Sequence, residues 1–458
     1  MSNRSAMRLI VPATVLALLA AACSSSHNAA STSPSSASAS TPVTATSAAA
    51  ASTSAPAPAS AAASATAAAS SSTDTEKATI NYFTFSAAPD HLSDLNKIVQ
   101  AFEAANPNIT VKVQTAAYAD YFTKLSTELA AGTAPDTFEL DYQDFVNYAS
   151  SGSLLSLTGN AYDPAAYTPS SLKAFSYQGS QMALPESFSD VLLFYNKTLF
   201  DKAGVAYPTS SWTWTDEMAA AKKLTNKSTG VWGLFQPVTY NEFYKALDQA
   251  GGSFLSADGT QATFNSAAGV AAANWLIGKL GTTMPTLTQI GNTPNFDTNL
   301  FTNNKLAMWI NGNWQFSGLA KMPGWDVVVE PGDTQQASAV FFNGIAASKN
   351  TKHPDAALKW LQFMSASQTS VTTRVNSAWE LPPITDTSSE SSYLTATPPA
   401  NRQAVFDSLK SPSLGPVIAK QQQMQDIVNN ALQNAAAGRS TVQAALDSAA
   451  TQVTALLK

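Results

Sequence analysis

The chain of 458 residues holds one cysteine and 3 histidines, and only 12% of its residues are charged. A single cysteine excludes an internal disulfide. The histidines supply no general base: His27 falls in a low-complexity stretch, His91 opens a helical pattern, and His353 stands before Pro354 in a turn. Neither a Ser-His-Asp nor a Cys-His arrangement can be assembled from them. There is no Gly-x-Ser-x-Gly elbow, P-loop, His-Glu-x-x-His or dinucleotide glycine pattern. No cysteine or histidine cluster stands ready for a metal, so no cofactor is expected. Against 31 acidic residues there are 25 Lys and Arg, a formal net charge of −6. Without a basic footprint to neutralise phosphates, nucleic acid is excluded as a partner.

What the chain does have is apolar and aromatic bulk. Hydrophobic residues make up 45%, with 9 Trp, 13 Tyr and 21 Phe, enough for a large core. A single core rarely grows beyond about 250 to 300 residues, so two lobes or domains are expected. With so few charges, Ser, Thr, Asn and Gln must supply the polar surface.

At the N-terminus, Arg4 and Arg8 precede an apolar run, Leu9 to Ala22, that ends at Cys23. The run is shorter than the roughly 20 residues of a membrane-spanning helix and has the layout of a secretory signal. Cys23 after small residues resembles the lipobox of bacterial lipoproteins, which implies lipid attachment at its thiol. Ala20 stands where that motif usually has Leu, which leaves cleavage at a neighbouring Ala as the alternative. From Ser24 to Thr73 all residues except His27, Asn28 and Val43 are Ser, Ala, Thr or Pro. Such a segment buries too little surface to offset its ordering entropy, and it is expected to be a disordered tether. The organisation so far is signal 1–23 and tether 24–76.

The folded part opens with an alternating aromatic strand, Ile80 to Phe85. Helical spacing of Leu92, Leu95, Val99 and Phe102 follows, ended by Asn106-Pro107. Ile109, Val111 and Val113 alternate again. A second helix is predicted over Tyr118, Phe122, Leu125 and Leu129, and a third strand over Thr137 to Leu140. This strand-helix-strand-helix-strand order predicts a doubly wound α/β lobe with its ligand crevice beyond the carboxyl ends of the strands. Further strands are expected at Val191 to Tyr195, Leu306 to Ile310, Trp325 to Val329 and Val340 to Ile345. Helices are expected at Thr215 to Leu224, Glu242 to Ala250, Ala267 to Leu280, Pro354 to Met364, Pro416 to Ala436 and Ser440 to Leu457.

Four patterns then occur in order: Ala134-Pro-Asp-Thr-Phe-Glu-Leu-Asp-Tyr with Gly152-Ser-Leu-Leu; Leu184-Pro-Glu-Ser-Phe-Ser-Asp-Val-Leu-Leu-Phe-Tyr-Asn-Lys; Lys305-Leu-Ala-Met-Trp-Ile-Asn-Gly-Asn-Trp; and Asn343-Gly-Ile-Ala-Ala-Ser with His353-Pro-Asp-Ala-Ala-Leu-Lys-Trp-Leu. Together they resemble the extracellular solute-binding proteins of the maltose-binding type, the receptors of carbohydrate ABC importers. The resemblance implies two doubly wound α/β lobes joined by three crossing segments that close over a ligand. The crossings would fall near Pro185 to Ser187, Asn343 to Ala346 and Trp379 to Pro383. Lobe 1 would span 77–185 plus 345–378, and lobe 2 would span 189–341 plus 384–458. It further implies a monomer outside the cytoplasm, held at the outer face of the cell membrane through lipid only, with a carbohydrate ligand and membrane permease subunits as partners.

A neutral sugar offers apolar C–H faces and a rim of hydroxyls, so its site needs aromatic rings and planar polar groups. Laid on this sequence, the resemblance nominates Phe85, Asp141, Tyr142 and Glu186, with Gln236, Tyr240, Asn311 and Trp314 from lobe 2. Asn343, Gly344, Asn376 and Trp379 come from the later crossings. Trp314 matches a stacking tryptophan of the family. The family's lobe-1 tryptophan is Leu140 here, so stacking on that side falls to Tyr142 or Phe85. Trp212 and Trp214 read as helix-entry packing, and Glu186 has Lys197 as a candidate ion-pair partner. A sensor of the same fold, a binder of an anionic solute and a glycosidase using Glu186 with Asp141 are the alternatives.

Overall fold

In a computed structural model, the described residues are 77–458 except 88, 89, 158, 160, 161, 292, 387 and 389. The signal 1–23 with Cys23 and the tether 24–76 lie outside them. No helix among the described residues is long and apolar enough to cross a membrane.

The chain opens as expected from its periodicity: β1 (Ala78–Thr84), α1 (Leu92–Ala105), β2 (Ile109–Thr115), α2 (Tyr118–Ala130), β3 (Thr137–Asp141) and α3 (Tyr142–Ser150). Next come β4 (Ala183–Asn196), α4 (Trp214–Leu224), β5 (Trp232–Phe235), α5 (Tyr240–Gln249), α6 (Ala267–Ile277), β6 (Leu306–Gly312), β7 (Trp325–Val328) and β8 (Ser338–Ala347). The chain closes with α7 (Pro354–Ala366), α8 (Gln368–Ser377), α9 (Gln421–Ala436) and α10 (Val442–Leu456). The helix expected from Pro416 starts at Gln421, because the preceding chain runs irregularly, with the Gly415 and Pro416 carbonyls held by Tyr142 and Tyr240, and turns only at Ala419-Lys420.

The strands run in the order β2-β1-β3-β8-β4-β6-β5, with β7 paired to β4 and a short strand Pro412–Ser413 paired to β8. β1 is parallel to β2 and β3, while β8 is antiparallel to both β3 and β4. β4 spans two lobes. Its first residues, Ala183 to Ser187, pair with β8 opposite β3, and its later residues, Val191 to Asn196, pair with β6 and β7. The β4–β8 register slips between Asn343 and Gly344, which pair with Ser187 and Pro185 and leave Glu186 as the extra residue of a bulge. A bulge re-aims its side chain, and this one sits where the chain crosses between lobes. A third segment joins here through paired backbone bonds between Phe188 and Leu381, 2.7 and 3.2 Å.

β4 is buried along its whole length, and its alternation feeds two cores. Leu193 packs with Phe243, Leu247, Met308, Val428 and Leu446, whereas Leu192 and Phe194 pack with Trp309, Trp325, Val371 and Val375. In the first lobe, Ile80, Tyr82, Leu95, Ile98, Phe102 and Trp360 fill one side of the sheet, and Phe83, Tyr121, Leu125, Phe138 and Phe145 fill the other. Trp214 enters α4 and stacks on Trp275 at 4.6 Å, the packing role read from the sequence.

Candidate functional site

β3 ends at Asp141, whose backbone is extended and whose Oδ1 accepts from Asp144 N at 2.8 Å, capping α3. The same carboxylate accepts the Tyr118 hydroxyl through Oδ2 at 2.6 Å. The cap aims the start of α3 at the other lobe. Tyr142 Oη donates to the carbonyl of Gly415 at 3.1 Å, and Gln425 Nε2 of α9 donates to Gln143 Oε1 at 3.2 Å. Gly415 has no side chain because Gln143 and Tyr244 fill the space where its Cβ would lie. Tyr240 completes this corner, its hydroxyl donating to Pro416 O at 3.3 Å. Asp141, Tyr142 and Tyr240 are therefore gathered around the Gly415-Pro416 segment.

Beside this contact a groove of about 680 Å³ runs between α2 and α3, lined by Phe122, Ser126, Asp144, Asn147, Tyr148 and Gln422 among others. Its volume and its mixture of rings, hydroxyls, amides and a carboxyl suit a hydroxylated ligand. Burial and the adjacent Asp141 push the Asp144 carboxyl up to about 8.

On lobe 2, β6 leads directly to Trp314, which is 37% exposed. Its ring lies over Gly312, where a Cβ would collide with it, and it meets Phe341 at 5.9 Å and 61°. An exposed, oriented indole is the kind of surface a sugar face stacks on.

The hinge gathers a third set. Glu186 is fully buried with its Oε1 against the Arg374 guanidinium, and Tyr82 Oη lies at 3.4 Å from the same oxygen. Burial drives its carboxyl up to about 8 even though Arg374 pulls the other way. Lys197, the partner considered from the sequence, pairs instead with Asp326 at 2.8 Å. Asn343 donates to Glu380 at 2.9 Å, and Gly344 faces Phe175 where a side chain would collide. Trp379 is buried, with the Arg374 guanidinium 4.0 Å from its ring centre and His91 stacked at 5.3 Å and 5°. Its Nε1 donates to Ser86 Oγ at 3.2 Å. These side chains hold the crossings together and have little surface left for a ligand.

Three nominated residues stand elsewhere. Gln236 is buried in lobe 2 between Lys279 and Glu242, part of an ionic network with Lys245 and Glu330. Asn311 is occupied within its own lobe, by Asp297 at 3.4 Å and Gly312 N at 2.8 Å. Asn376 is exposed on α8. Phe85 is half-buried and meets Tyr118, Tyr121 and Phe122 within 5.8 Å. Sequence reasoning passed over Tyr118, Gln143, Tyr244, Gln425 and Glu380. The Asp141-x-x-Asp144 spacing, a helix-capping pattern, was the available pointer to Gln143.

Residues 97–401 match the family model described as bacterial extracellular solute-binding protein. The ABC substrate-binding protein Lmo0181 from Listeria monocytogenes, solved in complex with cycloalternan, is 42% identical, with a TM-score of 0.79 covering 82% of this chain and 98% of that one. The maltodextrin-binding protein MdxE of Bacillus subtilis is 24% identical over 293 residues, 61% of this chain and 68% of the relative. Maltose-bound MalE3 of T. maritima is similar in fold, with a TM-score of 0.74 at 19% identity over 83% of this chain and 100% of that one.

Proposed function

Because the chain belongs to the bacterial extracellular solute-binding protein family, matched over residues 97–401, we propose that it is the receptor of an ABC importer and captures an oligosaccharide between its lobes. The observation that carries this reading is the 42% identity, over 82% of this chain and 98% of the other, to a substrate-binding protein solved with cycloalternan. Cycloalternan is therefore the first ligand to test, with maltodextrins second. The lobes close around a hinge made of β4, β8 and the segment through Leu381, with 77–185 plus 345–378 on one side and 189–341 plus 384–458 on the other. α8 rides on the hinge itself, its Val371 and Val375 against lobe 2 and Arg374 on Glu186.

The sugar is gripped by Trp314 from lobe 2 and, on lobe 1, by the α2–α3 groove with the polar side chains of Ser126 and Asn147 on its lining. The ligand contacts both lobes, so closure is stabilised by the affinity it adds over the open form. Glu186, Asn343, Gly344 and Trp379 serve the hinge. The receptor works outside the cytoplasm as a monomer, delivers its cargo to membrane permease subunits and performs no chemistry on it. Cys23 carries the lipid anchor, and 24–76 is the tether that sets the body off the membrane surface. Titration of the purified protein with cycloalternan and maltodextrins, followed by tryptophan fluorescence, tests the reading: a saturable change supports it, and a flat response to every sugar contradicts it.

A further inference from the structure

The end of β6 leads into the turn that presents Trp314, and the strand is only half paired there. β5 stops at Phe235, opposite Trp309, so Asn311 and Gly312 keep a strand partner only in β4, where they face Leu192 and Val191. A short helix, Phe296–Thr302, packs beside this end of the strand. Its Phe296 meets Phe235 at 6.3 Å, and its Phe301 meets Trp309 at 5.2 Å. Between these two anchoring rings the helix carries Asp297. One oxygen of that side chain, Oδ2, accepts the indole N–H of Trp309 at 3.0 Å and the side-chain amide of Asn311 at 3.4 Å. Asn311 Oδ1 in turn accepts the backbone N–H of Gly312 at 2.8 Å.

The order of donors and acceptors in this relay follows from the chemistry of its members. Trp309 is fully buried and its indole can only donate, so it needs an acceptor, and a carboxylate can only accept. With that acceptor on one side, Asn311 must turn its NH₂ to Asp297 and its oxygen to Gly312. The relay therefore ends on the backbone of the one residue over which the Trp314 ring lies, a glycine whose missing Cβ leaves room for the indole. Trp314 follows two residues later in the single turn Asn313–Gln315, so the orientation of the Gly312 peptide sets where the ring stands.

We infer that Asp297 is a positioning residue for Trp314: through Asn311 and the Gly312 amide it fixes the turn that carries the indole, and it acts on the ring rather than on the sugar. This rests on the oligosaccharide reading above and adds to it the side chain that orders the ring before the ligand arrives. A ring already in place loses less entropy on binding, so releasing it weakens affinity without removing any contact to the ligand.

The test is a double-mutant cycle, read by calorimetric titration of the full chain with cycloalternan and with maltotetraose. The variants are Asp297→Ala, Trp314→Ala and the two combined, with Asp297→Asn as the conservative change. For whichever sugar the parent binds, Asp297→Ala is expected to weaken binding about fivefold or more, and the double variant to bind within about twofold of Trp314→Ala alone. Asp297→Asn should stay within about twofold of the parent, because the donor-only indole of Trp309 turns the new amide's oxygen to the place of Oδ2. Asn311→Ala leaves the Trp309 bond intact and should show the same loss as Asp297→Ala, which keeps the test open if the latter folds poorly. Parent-like affinity in both alanine variants overturns the role and leaves the sugar reading standing. Losses that multiply in the double variant overturn it too, by showing that Asp297 acts independently of the indole. An Asp297→Asn variant as weak as Asp297→Ala overturns it by placing the effect on the charge. A parent that binds neither sugar contradicts the oligosaccharide reading itself and removes this role with it.

Discussion

The Glu380 carboxylate accepts the side-chain amide of Asn343 at 2.9 Å, binding the third crossing segment to β8; Ser187 of β4 donates to the same Oε2. One carboxylate oxygen therefore ties all three chain segments at the hinge. The backbone bends sharply to place it there, with positive φ at both Ala378 (55°) and Glu380 (46°) around the buried Trp379. Non-glycine residues hold such angles only where the surroundings over-determine them, often at moving parts.

Removing that carboxylate leaves the Asn343 amide and the Ser187 hydroxyl without their acceptor in a buried setting. Glu380→Ala is expected to lower stability by about 1–3 kcal/mol, the usual cost of an unsatisfied buried polar group. Urea unfolding monitored by tryptophan fluorescence measures it. A variant with the parent's midpoint would show that the clamp does not hold the hinge.

The interlobe bond between Gln143 and Gln425 predicts a conformational effect. Gln425→Ala deletes the donor at 3.2 Å from Gln143, so the ligand-free protein should shift towards an open form with a larger radius of gyration. Small-angle X-ray scattering detects that shift. An unchanged scattering curve would mean that other contacts set the resting angle.

Glu186 predicts the sign of a pH dependence. Its carboxyl is raised from 4.5 to about 8 in the folded protein, chiefly by burial. The folded state thus holds a proton that the unfolded state has released. The stability this contributes is fully present below about pH 4.5 and is lost as pH rises through about 8. Glu186→Gln should flatten the fall in stability across that window. Asp144 and Glu330, each raised to about 8, and Glu217, raised to about 7, act in the same direction and will leave a residual slope. A variant with the parent's slope would place the titration elsewhere.

These expectations depend on residues whose roles were unequally legible in the sequence. β1, α1 and β2 could be read because their apolar residues recur at strand or helix spacing and are buried where that spacing puts them, as with Leu95, Val99 and Phe102. The first half of β4 could not. Glu186, Ser187, Ser189 and Asp190 are polar yet buried, made tolerable by partners such as Arg374, Glu380 and Ser408 that lie far along the chain. No local pattern records those partners. Gln236 was misplaced for the same reason: an amide just after a strand looks alike whether it faces a ligand or a buried lysine. The exposed position of Trp314 could be anticipated, because Gly312 beneath the ring and the strand before it are local features. Tyr118 was hidden inside a helical pattern that counted it as apolar.

Trp314 carries the most specific expectation for binding. Trp314→Ala should cost a hot-spot amount, about 2 kcal/mol or more in affinity, with no loss of fold since the ring is partly exposed. Gly312→Ala should weaken binding as well, because its Cβ would occupy the space of the indole and force the ring to move. Calorimetry on both variants checks the pair. Parent-like affinity in both would take Trp314 out of the site.

The central claim is that this chain captures an oligosaccharide and leaves it intact. Isothermal titration calorimetry of the purified protein with cycloalternan and a maltodextrin series, with the sugar recovered and analysed afterwards, tests it most directly. Saturable one-to-one binding to at least one of these sugars, and recovery of that sugar unchanged, are the expected results. Absence of binding heat for all of them, or the appearance of cleaved product, would contradict it.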